Sequence, residues 1–310
     1  MCTVIKLPFA STAGNMLCLT VWKPAGEARA IVQIVHGMAE HIARYDRLAR
    51  ALCAAGYAVA GYSHLGHGPE AKEEDLGFFA DKGGWNAVVE DIHKARLLLQ
   101  EHFDGKPHIL LGHSMGSFAT REYLLRYARD LRGCILSGTG SFPAPLCSAG
   151  MLAARLCGMI NGWHKPAALV DKLAFGGQNK AFEPARTKFD WLSRDEIEVD
   201  KYVADPLCGF LFTARGYYDM FSGLKALSDL SRLKRMPANL PVRFISGSAD
   251  PVGANGKGVE TVSRQFLSAG MKKTDVRLYE AARHELFNET NREEVTRDLI
   301  AWLDGLFAAK

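Results

Sequence analysis

Residues His108 to Phe118 form an apolar run that breaks into Gly112-His113-Ser114-Met115-Gly116 just before a helical pattern begins. A serine at the apex of such a strand-turn-helix is held at strained dihedrals. The turn tolerates only small neighbours and leaves the hydroxyl exposed. Gly112, His113 and Gly116 thus frame Ser114 as a candidate nucleophile. Gly-x-Ser-x-Gly also occurs in ordinary glycine-rich turns, so the rest of the chain must supply its partners.

A serine hydroxyl is a poor nucleophile unless an adjacent base accepts its proton and a third group orients that base. Two late loops offer these groups. Asp250 follows the apolar run Val242 to Ser246, and His284 follows Val276 to Tyr279. Between them lies room for one helix, Gly258 to Ala269, and one strand, which gives the chain order Ser, Asp, His. Taken singly, Asp250 before Pro251 reads equally well as a turn starter or helix cap, and His284 beside Glu285 as a solvated loop residue. The three together, in order, predict a triad with Ser114 as nucleophile, His284 as base and Asp250 as its orienter.

Acyl transfer also needs donors for the developing oxyanion. The loop Val35-His36-Gly37-Met38-Ala39-Glu40-His41 follows the first long buried strand, and the backbone N–H groups of Met38 and Met115 are the predicted donors. His36 and Gly37, on the same loop, are candidate substrate contacts. His36 with His41, or His64 with His67, could be read as metal ligands, but no third ligand has matching spacing. No metal or organic cofactor is expected.

These loops must be positioned by a sheet. Short apolar runs alternate with longer helical patterns, which predicts an α/β fold with a mostly parallel eight-stranded sheet flanked by helices. Antiparallel strands near Val4 to Leu7 and Leu17 to Trp22 come first. Buried strands follow at Ala30 to Val35, Ala58 to Tyr62, Ile109 to Leu111, Gly133 to Ser137, Val242 to Ser246 and Val276 to Tyr279. Helical spacing covers Tyr45 to Ala55, which closes on Gly56, then Trp85 to Phe103, Ser114 to about Tyr127, and a last helix carrying Val295, Leu299, Trp302 and Leu306. The alternation stops between Ser141 and about Pro237. The expected division is a core over 1–141 and 238–310, with a helical cap or lid over 142–237 above the carboxyl ends of the strands, where ligands bind in open α/β sheets.

Within that cap, Leu146 to Ile160 is apolar around most of its circumference, with Arg155 as its one charge. Leu152, Leu156, Met159 and, further on, Tyr217 are candidate linings for an acyl chain. Packing within the cap, a contact between copies in a homo-oligomer and transient contact with a lipid surface are the competing readings.

Composition excludes other classes. The 38 basic and 34 acidic residues are scattered rather than striped, so nucleic acid is not expected as a partner. Seven cysteines, odd in number and without Cys-x-x-Cys spacing, read as reduced thiols of a cytoplasmic protein. The N-terminus lacks the charged and apolar regions of a leader, and no apolar run approaches the ~18 residues of a membrane span.

The motifs His36-Gly37-Met38-Ala39-Glu40-His41 with Arg44-Tyr45, Gly66-His67-Gly68, Gly112 to Gly116, Gly247-Ser248-Ala249-Asp250 and His284-Glu285 with Asn288-Glu289 together resemble the monoacylglycerol lipase and lysophospholipase branch of the α/β-hydrolases. The resemblance reaches into the cap return, at Leu192-Ser193-Arg194, Glu198-Val199-Asp200, Tyr202 and Asp205-Pro206-Leu207. It implies an α/β-hydrolase fold and a serine ester hydrolase with Ser114, His284 and Asp250 in the roles above and the Met38 and Met115 amides as oxyanion hole. The expected substrate is a small ester with an apolar acyl chain, such as a monoacylglycerol or lysophospholipid. A carboxylesterase or thioesterase of small esters, and a ligand-binding relative without turnover, are the alternatives. One departure stands out: the family usually has Asp three residues before the Gly-His-Gly turn, where this chain has Ser63.

Overall fold

The computed structural model describes residues 2–308. Eight strands form one sheet: β1 Thr3–Ala10, β2 Met16–Lys23, β3 Ile31–Val35, β4 Ala58–Gly61, β5 His108–His113, β6 Leu131–Ser137, β7 Val242–Gly247 and β8 Thr274–Tyr279. Their order is β1-β2-β4-β3-β5-β6-β7-β8. β1 and β2 pair antiparallel, β2 joins β4 antiparallel, and every later pairing is parallel. All eight strands expected from the pattern are present, most of them longer than the apolar run that announced them.

The strand sequences explain why the sheet is covered on both faces. β3, β4 and β5 are buried at every position, as parallel strands between two helical layers must be. Alternate residues enter different cores. Ile31 and Val35 face the layer of α2 Gly84–His102, α3 Met115–Tyr127 and α8 Lys257–Ser268, while Val32 and Ile34 face α1 Asp46–Ala54 and α9 Arg292–Gly305. That alternation is the period-2 signature of a strand. Each fully buried aliphatic holds about 2–5 kcal/mol against truncation to Ala. β1 instead alternates exposed and half-buried residues, as an edge strand with one wet face does.

The chain leaves β6 for α4 Ala144–Asn161, α5 Ala168–Phe175, α6 Glu196–Ala204 and α7 Ala214–Leu227 before returning at β7. α7 fastens this segment to the sheet layer: Tyr217, Met220 and Leu224 join the same core as α2 and α3, and a Cβ on Gly223 would stand 2.2 Å from the Trp85 ring.

From β3 the chain steps to β4 on one side and then crosses back to β5 on the other, all three strands remaining parallel. Such a reversal opens a crevice beyond the carboxyl ends of the strands. The loops carrying Met38 and Ser114 leave β3 and β5 at that point.

Candidate active site

Ser114 sits between β5 and α3 at φ 51° and ψ −123°, a conformation side chains rarely adopt and that surroundings must enforce. They do so by contact. A Cβ on Gly116 would lie 2.1 Å from the Val35 carbonyl oxygen, and one on Gly112 2.4 Å from Thr120 Oγ1. The first turn of α3 therefore presses directly on the end of β3. The Ser114 amide donates to the Ser137 carbonyl at 2.9 Å, and its carbonyl accepts the Ser117 amide and hydroxyl.

The loop after β3 abuts this serine: a Cβ on Gly37 would stand 3.1 Å from Ser114 Cβ. Among the described residues, the N–H groups of Met38 and Met115 donate to no protein acceptor. Two unengaged amides beside a strained serine can receive an oxyanion.

The loops after β7 and β8 are laced together. The Ser248 amide donates to the Tyr279 carbonyl at 2.9 Å, the Ala249 amide to the Ala282 carbonyl at 3.0 Å, and the Ala281 amide to Ser248 Oγ at 2.8 Å. This lacing sets Asp250 against His284. His284 Nδ1 lies 3.0 Å from Asp250 Oδ1 and 2.9 Å from Oδ2. The carboxylate also accepts the Val252 amide at 2.9 Å and the Ser246 hydroxyl at 3.2 Å. Burial alone would push the His284 imidazole down, but Asp250 outweighs it and holds the ring above its ordinary value. Burial would likewise raise Asp250, yet the facing imidazole and the donors around the carboxylate keep it below the usual range. With Nδ1 engaged as donor, Nε2 carries the lone pair of the neutral ring.

Further residues complete the surroundings. His113 stacks obliquely on His284 at 4.7 Å, and burial drives it down to about 4, so it stays neutral. Trp191 also packs on the His284 ring at 5.0 Å, and its carbonyl accepts the His284 amide. Beneath the Met38 loop, Glu40 accepts the Gly37 amide at 2.6 Å and the Tyr45 hydroxyl at 2.8 Å. Arg44 bridges Glu40 to Glu285 through a bidentate pair at 2.6 Å. The Tyr202 hydroxyl and the Gly209 amide both hold the Ala39 carbonyl. Sequence reasoning named several of these residues without giving them this bracing role. Only the four-residue spacing of Glu40 and Arg44 hinted at it.

His36 lies behind the loop with both nitrogens occupied, Nδ1 donating to the Gly37 carbonyl at 2.8 Å and Nε2 accepting the His64 amide at 3.0 Å. His67 Nδ1 donates to the Leu65 carbonyl, and its Nε2 accepts the Ala39 amide. Burial pushes His36 and His64 well down, and His67 to about 4. The imidazoles act as neutral braces. His41, Asp205 and Cys208 lie within 4.8 Å of one another, but His41 already pairs with Asp205 at 2.8 Å and burial raises the Cys208 thiol, which disfavours a thiolate ligand. Ser63 is buried beside Gly68 and accepts the Ile42 amide at 3.5 Å.

The remaining candidates lie elsewhere. α4 buries its small residues, Cys147, Ala154 and Gly158, while Leu152, Leu156 and Met159 occupy the opposite, solvent-facing side. Small residues let α4 approach its neighbours closely, and the large apolar ones are left outside. Tyr217 is fully buried, with its hydroxyl donating to Asp171 at 2.7 Å.

The family model Hydrolase_4, serine aminopeptidase S33, matches residues 26–291. Human monoglyceride lipase is 28% identical over 280 residues, covering 89% of this chain and 82% of the relative. The monoacylglycerol lipase of Mycolicibacterium smegmatis is 28% identical over 302 residues, covering 95% of each. Among solved structures, a thermostable carboxyl esterase from Bacillus coagulans in complex with glycerol superposes with a TM-score of 0.91 at 29% identity, covering 98% of this chain and 99% of the other.

Proposed function

This chain belongs to the Hydrolase_4, serine aminopeptidase S33, family of α/β-hydrolases, and from that premise we propose that it hydrolyses carboxylic esters through an acyl-enzyme on Ser114. The observation that carries the reading is the Asp250–His284 pair, buried and hydrogen-bonded, with His284 stacked on His113, the residue that precedes the strained Ser114.

In this mechanism His284 Nε2 takes the Ser114 hydroxyl proton as the oxygen attacks the ester carbonyl. Asp250 keeps Nδ1 protonated and stabilises the imidazolium that forms. The tetrahedral oxyanion accepts N–H bonds from Met38 and Met115, each worth roughly 2.7–4 kcal/mol in the transition state. The imidazolium then protonates the departing alcohol. Water, deprotonated by the same nitrogen, attacks the acyl-serine, and the imidazolium returns that proton to Ser114 Oγ as the acyl–oxygen bond breaks and the carboxylic acid leaves.

Resemblance to lipases and an esterase supports a monoacylglycerol-like or lysophospholipid-like substrate. Residues 142–237 would form the cap, with the exposed Leu152, Leu156 and Met159 suited to meeting substrate at a lipid surface. The test has two arms. A fluorophosphonate probe should label the wild-type chain and not Ser114→Ala; equal labelling would refute the nucleophile. Steady-state turnover of monoacylglycerols, lysophospholipids, p-nitrophenyl esters and an aminoacyl arylamide then assigns the substrate class, and occupancy without sustained product would identify a binding protein instead.

A further inference from the structure

Arg121, seven residues beyond Ser114 on α3, is a buried cation without an anion. It is 5% exposed. Its Nη1 donates to the Gly140 carbonyl at 2.8 Å, and its Nε is sealed with no partner. Among the described residues no carboxylate pairs with it. Burial pushes the guanidinium down to about 10, with no neighbouring charge offsetting the shift. An isolated buried charge is costly and is ordinarily paired.

Arg121 lines a half-open cleft of about 300 Å³ at the junction where the chain leaves β6 for α4. Phe142, Leu224 and Leu227 supply apolar walls, and Ser228 and Gln265 a polar rim. Leu230 and Gln265 also line an adjoining depression of about 450 Å³, which adds the cations Lys234 and Arg264. The cleft is thus small enough for one short-chain molecule, cationic at its base and beside its mouth, and apolar between.

We propose that this cleft binds an amphiphilic carboxylate, with the anionic head on Arg121 and a short hydrocarbon tail against Phe142, Leu224 and Leu227. Nη2 is the guanidinium nitrogen that is neither sealed nor bonded, so it supplies the free donor edge. A charge-assisted N–H···O bond from Nη2 to one carboxylate oxygen gains strength where water is excluded. Apolar walls beside a single donor edge favour a tailed carboxylate over a compact, multiply charged anion. The site is separate from the proposed chemistry at Ser114 and does not depend on it.

Isothermal titration of the full chain with sodium octanoate, 1-octanol and acetate tests the proposal. Octanoate should bind a site whose affinity falls about tenfold or more in Arg121→Met, while octanol affinity is unchanged by that substitution. Ser228→Trp, which fills the cleft from its half-exposed rim and keeps Arg121, should weaken both. Octanoate binding unchanged in Ser228→Trp overturns the proposal even if Arg121→Met fails to fold. So does absence of octanoate binding to the wild type, or binding of acetate as tight as octanoate, which would indicate an adventitious ion only.

Discussion

Glu40 Oε1 stands 2.6 Å from the Gly37 amide nitrogen, so one carboxylate fixes the peptide that immediately precedes the proposed oxyanion donor Met38. Its other oxygen takes Arg44 at 2.8 Å, which ties the same loop to Glu285 beside His284. The first prediction follows from this sharing. Glu40→Gln keeps the shape but presents an amide N–H₂ to either Arg44 or the Gly37 and Tyr45 donors. With the loop misplaced by a fraction of an ångström, kcat should fall about 10–100-fold while KM changes little, because the loop matters most in the transition state. Unchanged kcat in steady-state assays would show that the loop holds itself without Glu40.

Asp250→Asn should separate orientation from charge. The amide cannot stabilise an imidazolium, so kcat should drop by roughly 10³–10⁴. The pH profile carries a second signature. His284 works as a neutral base, and activity is lost as pH falls through its pKa, which Asp250 holds above the ordinary histidine value of about 6.5. Removing that carboxylate should move the acid limb of kcat/KM to lower pH. An acid limb that stays in place would assign it to a group other than His284.

Gly138, the residue after β6, lies at φ +59°, and a Cβ there would stand 2.9 Å from His284 Cε1 and 3.0 Å from Nδ1. Gly138→Ala should therefore push the imidazole off Asp250 and cost at least tenfold in kcat/KM, since small displacements of a reacting group are amplified. Gly83→Ala is the matched control: its φ is +66° but nothing lies within 4 Å of its Cβ. Both variants should lose about 1 kcal/mol from backbone strain. Equal activity in the two would mean that the His284 loop yields to the added methyl.

These contacts show where sequence reading succeeds and where it stops. The elbow was legible because glycines at 112 and 116 and an apolar strand are local signals, and the contacts those glycines make explain their identity. The facing of α4 was not. Its buried side is carried by Cys147, Ala154 and Gly158, whose small size gives a weak periodic signal, whereas the conspicuous Leu152, Leu156 and Met159 are exposed. The Glu40–Arg44–Glu285 bridge escaped for a different reason. Arg44 and Glu285 lie 241 residues apart, and no local spacing encodes a closure made only by folding.

A last prediction concerns stability rather than catalysis. Asp219 on α7 is 4% exposed, lies 3.2 Å from Arg215 Nε and packs where a Cβ on Gly84 would meet its carboxylate at 2.4 Å. Burial pushes its carboxyl up to about 6, against the opposing pull of Arg215 and the Gly84 amide. The sign follows from proton linkage. Between about 4 and 6 the folded state holds a proton that the unfolded chain releases, so stability falls as pH rises through that window and stays lowered above it. A shift of about two units corresponds to at most about 3 kcal/mol at neutral pH. Asp219→Asn removes the buried charge while keeping an oxygen for the Gly84 amide. It should be more stable than the wild type at pH 8 and indistinguishable at pH 4. Urea unfolding at both values measures this directly, and an equal gain at both would mean that packing, not ionisation, governs the position where α7 fastens the segment between β6 and β7 to α2.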